Sequence, residues 1–259
     1  MASLDGVKLK IVRAEEHLRF LDQEIGRYLE SDPFEFVKEL DGKDICIVLR
    51  IKRQPDPYLS TIIGDCLHNL RSSLDHLLWQ LLIWPLPPKV NPKQLSFPIF
   101  IDEGKYGDAL NKNGLPRCVT ESALAIIERL QPYHARENAQ WHALWFIHEL
   151  SNRDKHVMLH ITVGKARSEE VRITGAIPGK TSHEISSAML DHGTVLVRLP
   201  VSELGENPMN VNASIAGFVT LKEPDPWTDE AISVYLARSL DFLKRRLVPC
   251  FEPLFGEGS

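Results

Sequence analysis

The sequence predicts an α+β protein, mainly a helical bundle of four to five helices, with an N-terminal β-hairpin and an antiparallel β segment before the C-terminal helix. Apolar residues recur every three or four positions in segments 7–29, 62–84 and 229–248, which is the period of an amphipathic helix. Apolar and polar residues alternate in several segments between 158 and 222, which is the period of a half-buried strand. These two periodicities predict the fold class.

The N-terminal elements are bounded by turn and break signals. Segment 7–29 is predicted to be one helix, which ends where Ser31-Asp32-Pro33 disfavours helical backbone before the proline. Segments 34–40 and 45–51 are β-prone, and the sequence Asp-Gly-Lys-Asp between them is a turn signal, so they predict a β-hairpin. A QPDP break follows, and the long helix begins at about Tyr58.

The middle of the chain alternates a loop with short elements. Five prolines between 85 and 98 exclude regular structure and predict a loop. Residues 97–101 form a predicted short strand. Segment 120–130 is predicted to be a helix with Thr120 as its N-cap, and segment 137–150 is predicted to be another.

The C-terminal part is predicted to hold the β segment and the last helix. The alternating segments predict strands at 158–163, 171–177, 194–200 and 214–222, and the last helix covers 229–248. We expect a single domain over 1–259, with the helical bundle in 1–160 and 229–248 and a β-rich insertion at about 161–222.

Composition restricts the class of protein. With 43% hydrophobic and 25% charged residues, the chain has the composition of a soluble globular protein. A net charge of −5 argues against general DNA binding, which needs a basic surface. The four cysteines form no C-x-x-C pair, which is typical of reduced thiols. The N-terminus has no signal-peptide pattern and the longest apolar run, 77–84, is too short to span a bilayer, so we expect a cytoplasmic protein without membrane contact.

The helix at 62–84 carries an unusual polar face. Its leucines align along one side, whereas an ordinary solvated face would carry lysine and glutamate on the other. Instead, three turns hold two imidazoles, two carboxylates and a guanidinium, on residues Asp65, His68, Asn69, Arg71, Ser72, Asp75 and His76.

A second polar cluster follows the helix predicted at 137–150 and consists of Asn152, Arg153, Asp154, Lys155 and His156. Charged groups are rarely buried unpaired, so we expect the two clusters to face each other across the bundle. Asp75 or Asp65 would then pair with Arg153 or Lys155, and His76 would lie near His156.

The spacing R-x-x-x-x-H, from Arg71 to His76, resembles the motif of the HEPN superfamily, a group of helical bundles that includes metal-independent ribonucleases and non-catalytic members. In that family two copies of the motif meet at a dimer interface. The resemblance implies a homodimer that binds or cleaves RNA without metal or cofactor, in which Arg71 binds phosphate and His76 is the general acid/base. The string HNLRSSLDHLLW with the later NRDKH also resembles bacterial proteins that carry a similar HNLRSALDHL helix followed by a DKH segment.

Two other functions are open. The polar residues could form a buried His/Asp/Arg network in a non-catalytic structural or interaction module. Alternatively, histidines and carboxylates could hold a metal for a hydrolase, although neither H-E-x-x-H nor paired E-x-x-H spacing occurs. The candidate ligands are His68, Asp75, His76, His148, Glu149, Asp154, His156 and His160. The missing spacings lead us to predict no metal site.

Overall fold

The computed structural model describes residues 2–88, 90–164, 171–174, 192–201, 210–213 and 218–256. It is an α+β structure, as predicted. The helices are α1 Asp5–Glu30, α2 Tyr58–Leu81, α3 Glu103–Asn113, α4 Glu121–Arg129, α5 Ala143–Asp154, α6 Ile232–Phe242 and α7 Val248–Phe251. The strands are β1 Phe34–Asp41, β2 Asp44–Ile51, β3 Ile161–Gly164, β4 Val171–Thr174, β5 Val195–Pro200, β6 Asn210–Ala213 and β7 Phe218–Leu221.

The chain forms two compact units. The first comprises Met1–Leu21, Ser60–Leu159 and Ser233–Ser259, and the second comprises Asp22–Leu59 and His160–Ile232. The first unit is helical and the second holds all the strands given above. The single domain over 1–259 stays a prediction, and both polar clusters lie in the helical unit.

The predicted N-terminal hairpin is confirmed. Strands β1 and β2 pair antiparallel from Phe34 opposite Ile51 to Asp41 opposite Asp44. Gly42 in the turn has a φ of 65°, a conformation in which glycine avoids the steric cost of a side chain.

The later strands form antiparallel pairs, which confirms the predicted β segment. β5 extends the hairpin by pairing with β2, while β3 pairs with β7 and β4 with β6. Of the predicted strands 171–177 and 214–222, residues 175–177 and 214–217 lie outside the described residues. Strand β6 was not predicted.

The apolar stripe of α2 is the core of the helical unit. Ile63, Leu67, Leu70, Leu74 and Leu77 are each at most 1% exposed. Burial of one such side chain contributes about 1.5–3 kcal/mol relative to exposure. The stripe therefore fixes which sides of α2 remain for polar groups. Among the described residues no helix combines the length and apolar character needed to cross a membrane.

The predicted strand at 97–101 is wrong. Phe97 and Ile99 are buried, but the segment pairs with no strand in the described part of the chain. Side chains satisfy its backbone instead: the Gln131 amide accepts from the Phe100 nitrogen at 3.0 Å and donates to the Pro98 carbonyl at 2.9 Å. Single-sequence periodicity cannot detect such side-chain partners.

The predicted start of the helix at 137–150 is also wrong. Residues Pro132–Trp141 form 3-10 turns with a kink at Arg136, whose φ is 51°. The α5 helix begins at Ala143, because His142 is extended and its ring accepts from the Leu144 nitrogen at 3.2 Å. Helix α3 was not predicted, although its N-cap Asp102 is a recognisable start signal.

Candidate functional site

Helix α2 separates its polar residues between buried and exposed sides. Arg71 and Asn69 are buried, Ser72 and Asp75 are partly buried, and Asp65, His68 and His76 are exposed. In the second cluster Asn152, Arg153 and Asp154 are partly buried and Lys155 and His156 are exposed. The predicted site residues therefore do not form one surface.

Arg71 is committed to contacts inside the helical unit. It is 8% exposed, and its Nη2 donates to the Phe97 carbonyl at 2.9 Å and to Asp75 Oδ1 at 3.0 Å. The same Asp75 oxygen accepts from the Phe97 nitrogen at 2.9 Å. Arg71 and Asp75 thus hold both backbone polar groups of Phe97, an arrangement that we call the Phe97 clamp.

His76 lies on a different side of α2 from Arg71. Five helical residues correspond to a rotation of about 140°. The His76 ring lies beside α1, since a Cβ added at Gly6 would be 3.3 Å from its Nδ1. One chain therefore does not bring Arg71 and His76 together at a common substrate site.

His148 precedes the second cluster by one helical turn and feels the charges of Arg71 and Asp75 on α2. Asn152 Nδ2 is 3.1 Å from His148 Nε2, and Lys155 Nζ donates to the side-chain oxygen Oδ1 of Asn152 at 3.5 Å. The His148 ring stacks on Trp145 at 5.3 Å between centroids. The pKa of His148 is lowered to about 4, mainly by burial and also by the positive charges of Arg71 and Lys155, with Asp75 acting in the opposite direction, so the ring is neutral near pH 7.

Asp154 meets α2 at a glycine. A Cβ at Gly64 would lie 2.5 Å from Asp154 Oδ2 and 2.8 Å from Oδ1, so the carboxylate occupies the space that a side chain would need. Burial raises the pKa of Asp154, the charge of Asp65 adds to this, and His68 opposes it. The glycine explains how α5 approaches α2 here.

Two of the predicted carboxylates have identifiable neighbours in the structure. Asp75 pairs with Arg71 on its own helix, and Asp154 faces Asp65 and His68. The amide of Asn69 donates to the Asp65 carbonyl within α2. Asp154 of the second cluster thus lies against Gly64 of α2, and the pairing of Asp75 or Asp65 with Arg153 or Lys155 stays a prediction.

Sequence reasoning missed three participants: the Phe97 backbone, His148 and Gly64. A glycine within a strongly helical pattern costs about 1 kcal/mol relative to alanine, so Gly64 was a detectable signal of close approach. His148 was a candidate only as a metal ligand. The role of Phe97 has no signal in the sequence, since it uses backbone groups.

The structure gives no support for a metal centre in the described part of the chain. There, no three His, Cys, Asp or Glu side chains converge in a way that could hold a metal ion. A catalytic metal requires three or more protein ligands, and such a set does not occur within the described ranges.

Neither a protein-family model, nor a curated protein, nor a solved structure matches this chain.

Proposed function

We propose that this protein is a non-catalytic interaction module that works as a homodimer, and that its His/Asp/Arg network stabilises the helical unit. The observation that carries the proposal is the Phe97 clamp. A phosphate-binding arginine must present its guanidinium to a ligand, whereas Arg71 is 8% exposed and donates to Phe97 and Asp75. His76 lies on another side of α2, so Arg71, the arginine of the same R-x-x-x-x-H motif, does not lie beside it.

The surface that supports self-association lies at the end of α2. Trp79, Ile83 and Trp84 are 47%, 50% and 54% exposed, and the two indole rings are 5.4 Å apart. We call these three residues the tryptophan patch. Clustered exposed apolar side chains mark interaction sites, and tryptophan is enriched among the residues that contribute most to binding.

A second copy of this chain is the partner that the patch fits. A two-fold dimer places the same surface on both sides of the interface, so the surface must tolerate itself. Residues 77–88 contain no charged side chain. Two tryptophan patches can therefore meet without like-charge repulsion, and burying them removes large apolar surface from water.

We expect the protein to sediment as a dimer between about 1 and 100 μM, the range in which a micromolar interface forms. The double variant Trp79→Glu, Trp84→Glu should be a monomer, because the glutamate carboxylates of the two copies would face and repel each other across the two-fold axis. Trp141→Glu is the control: Trp141 is 45% exposed in the same unit but outside the patch, and its variant should remain a dimer. A monomeric wild type, or a patch variant that stays dimeric, would contradict the proposal.

Cleavage of RNA is the second candidate, favoured by the exposure of His68 and His76 on α2. If the protein is non-catalytic, we expect no cleavage of single-stranded RNA, with or without EDTA. Metal-independent cleavage that His76→Ala abolishes would instead support the ribonuclease, because His76 is exposed and its replacement should leave the fold intact.

The double variant Arg71→Ala, His76→Ala cannot decide this question alone. Loss of Arg71 disrupts the Phe97 clamp, and activity could then disappear through unfolding. A matched comparison of His76→Ala with His156→Ala, another exposed histidine of the helical unit, separates a specific role from loss of any surface imidazole.

A further inference from the structure

Helix α5 has a histidine at its N-cap position. The backbone nitrogen of Leu144 donates to His142 Nδ1 at 3.2 Å, and His142 itself has extended backbone angles. Serine, threonine, aspartate and asparagine are the usual residues at this position, and α3 and α4 are capped in this way by Asp102 and Thr120. The cap of α5 therefore has a chemistry that the caps of α3 and α4 do not share.

The hydrogen bond to Leu144 requires a neutral imidazole. A backbone N–H can only donate, so Nδ1 of His142 must be unprotonated and the ring proton must be on Nε2. Protonation would place a second N–H opposite that of Leu144. It would also place a positive charge at the N-terminus of a helix, where the macrodipole disfavours cations. The oxygen of an aspartate or threonine cap remains an acceptor at pH 5, so mild acid removes the cap of α5 and leaves those of α3 and α4.

The same ring joins the start of α5 to α6. The His142 ring packs edge-on against Phe242, with 5.0 Å between centroids. One turn further along α5, the ring of Phe146 stacks on that of Tyr235 at 5.6 Å. A charged imidazolium is more strongly hydrated than the neutral ring, so protonation draws His142 away from Phe242 and towards water. The cap and the contact with α6 are then lost together.

The environment of His142 sets the direction of its titration. Burial lowers the pKa of His142 from 6.5 to about 4, and no charged side chain of the described residues adds to this shift. Asp241 and Arg245, on either side of Phe242 in the sequence, pair with each other and are more than half exposed. Because the pKa is lower in the folded state than in the unfolded state, the stabilisation is present above about pH 6.5. It is lost as the pH falls towards 4.

We propose that His142 is an acid-sensitive switch: protonation of its ring removes the N-cap, and the first turns of α5 detach from α6. The equilibrium constant for detachment should rise about 10–30-fold between pH 7 and pH 5, from the protonation of this one group. The switch is independent of self-association, because both helices belong to one chain.

Two other groups of α5 titrate and must be separated from His142. Burial, with Arg71 and Lys155, lowers the pKa of His148 to about 4 against the influence of Asp75, so its protonation also destabilises the folded state. Burial raises the pKa of Asp154, so its protonation has the opposite effect. A variant at position 142 is therefore needed to assign the response.

The first test determines the protonation state of the His142 ring in the unmodified protein by long-range ¹H–¹⁵N correlation spectra. At pH 7 the ring should carry its proton on Nε2 and none on Nδ1, and it should become charged only below about pH 5. A proton on Nδ1 at pH 7, or titration near pH 6.5, would overturn the proposal.

The second test measures amide hydrogen exchange at pH 7 and pH 5, with each rate divided by the intrinsic rate at that pH. In the wild type the protection of amides 146–150 should fall about 10–30-fold, while amides 124–129 of α4 keep theirs. His142→Asn supplies a cap that does not titrate, so the loss in α5 should be less than about threefold. His156→Asn, at an exposed histidine of the same unit, should respond as the wild type does.

The comparison is made within each variant, so a lower overall stability of His142→Asn does not affect it. An equal loss of protection in α4 would show unfolding of the whole unit and would overturn the switch. A wild-type response in His142→Asn would assign the effect to another group, such as His148, and would also overturn it.

Discussion

Replacing Asp75 by alanine should lower the free energy of unfolding by about 3–5 kcal/mol, although it removes only a small and partly exposed side chain. The reason is that Arg71 stays behind: its guanidinium is buried and loses its carboxylate partner, and an uncompensated buried charge is strongly destabilising. The Phe97 nitrogen also loses its acceptor. Urea unfolding followed by tryptophan fluorescence reports mainly on the helical unit, since four of the five tryptophans lie within 60–159.

The arginine variant should cost less than the aspartate variant. Arg71→Met keeps the apolar stem and leaves the Asp75 carboxylate, which is 38% exposed and can be solvated, so we expect a loss of about 1–3 kcal/mol. The double variant Arg71→Met, Asp75→Ala should lose less free energy of unfolding than the sum of the losses of the two single variants, because the two side chains interact directly.

A surface pair with the same spacing provides the control. Asp241 and Arg245 are four residues apart and 2.7 Å from each other, but their side chains are 58% and 80% exposed. Asp241→Ala should cost less than about 0.5 kcal/mol, as is usual for solvated pairs. Equal effects of Asp75→Ala and Asp241→Ala would show that the Phe97 clamp does not stabilise the fold.

Replacing Gly64 by alanine should lower the free energy of unfolding by about 1–3 kcal/mol through overpacking, although alanine is favoured in helices by about 1 kcal/mol. The new Cβ would lie 2.5 Å from Asp154 Oδ2, so the carboxylate must move from its place between the helices. Gly107→Ala is the matched control. Gly107 lies in α3, where an added Cβ meets nothing within 4 Å, and alanine should stabilise that helix by about 0.5–1 kcal/mol.

A double-variant cycle tests the cause of the Gly64 effect. Removing the carboxylate with Asp154→Ala should make room for the new methyl group, so Gly64→Ala should become neutral or stabilising in that background. If Gly64→Ala stabilises the wild-type protein as much as Gly107→Ala does, the close approach of Asp154 has no energetic consequence. The measurement is urea unfolding: the midpoints of the variants can be compared as stabilities when the dependence of the unfolding free energy on urea concentration is unchanged.

Elements whose stability comes from local pattern were predictable from the sequence. The α2 stripe from Ile63 to Leu77 follows the helical period, and its burial is the direct result of that period. The hairpin was recognisable because the turn at Gly42 separates two β-prone segments. Elements that depend on partners distant in the sequence were missed, such as the extended segment that Gln131 satisfies.

The candidate site shows the same division. The sequence by itself determined that α2 carries arginine, aspartate and histidine on turns next to an apolar stripe, and that a second polar cluster follows another helix. Only the tertiary structure decided which side of α2 each group occupies relative to its neighbours. Because Phe97 and α5 pack against the Arg71 side, the guanidinium is buried and hydrogen-bonded, while His76 remains exposed. The five-residue spacing from Arg71 to His76 defines an angle around a helix, and burial depends on what packs at that angle.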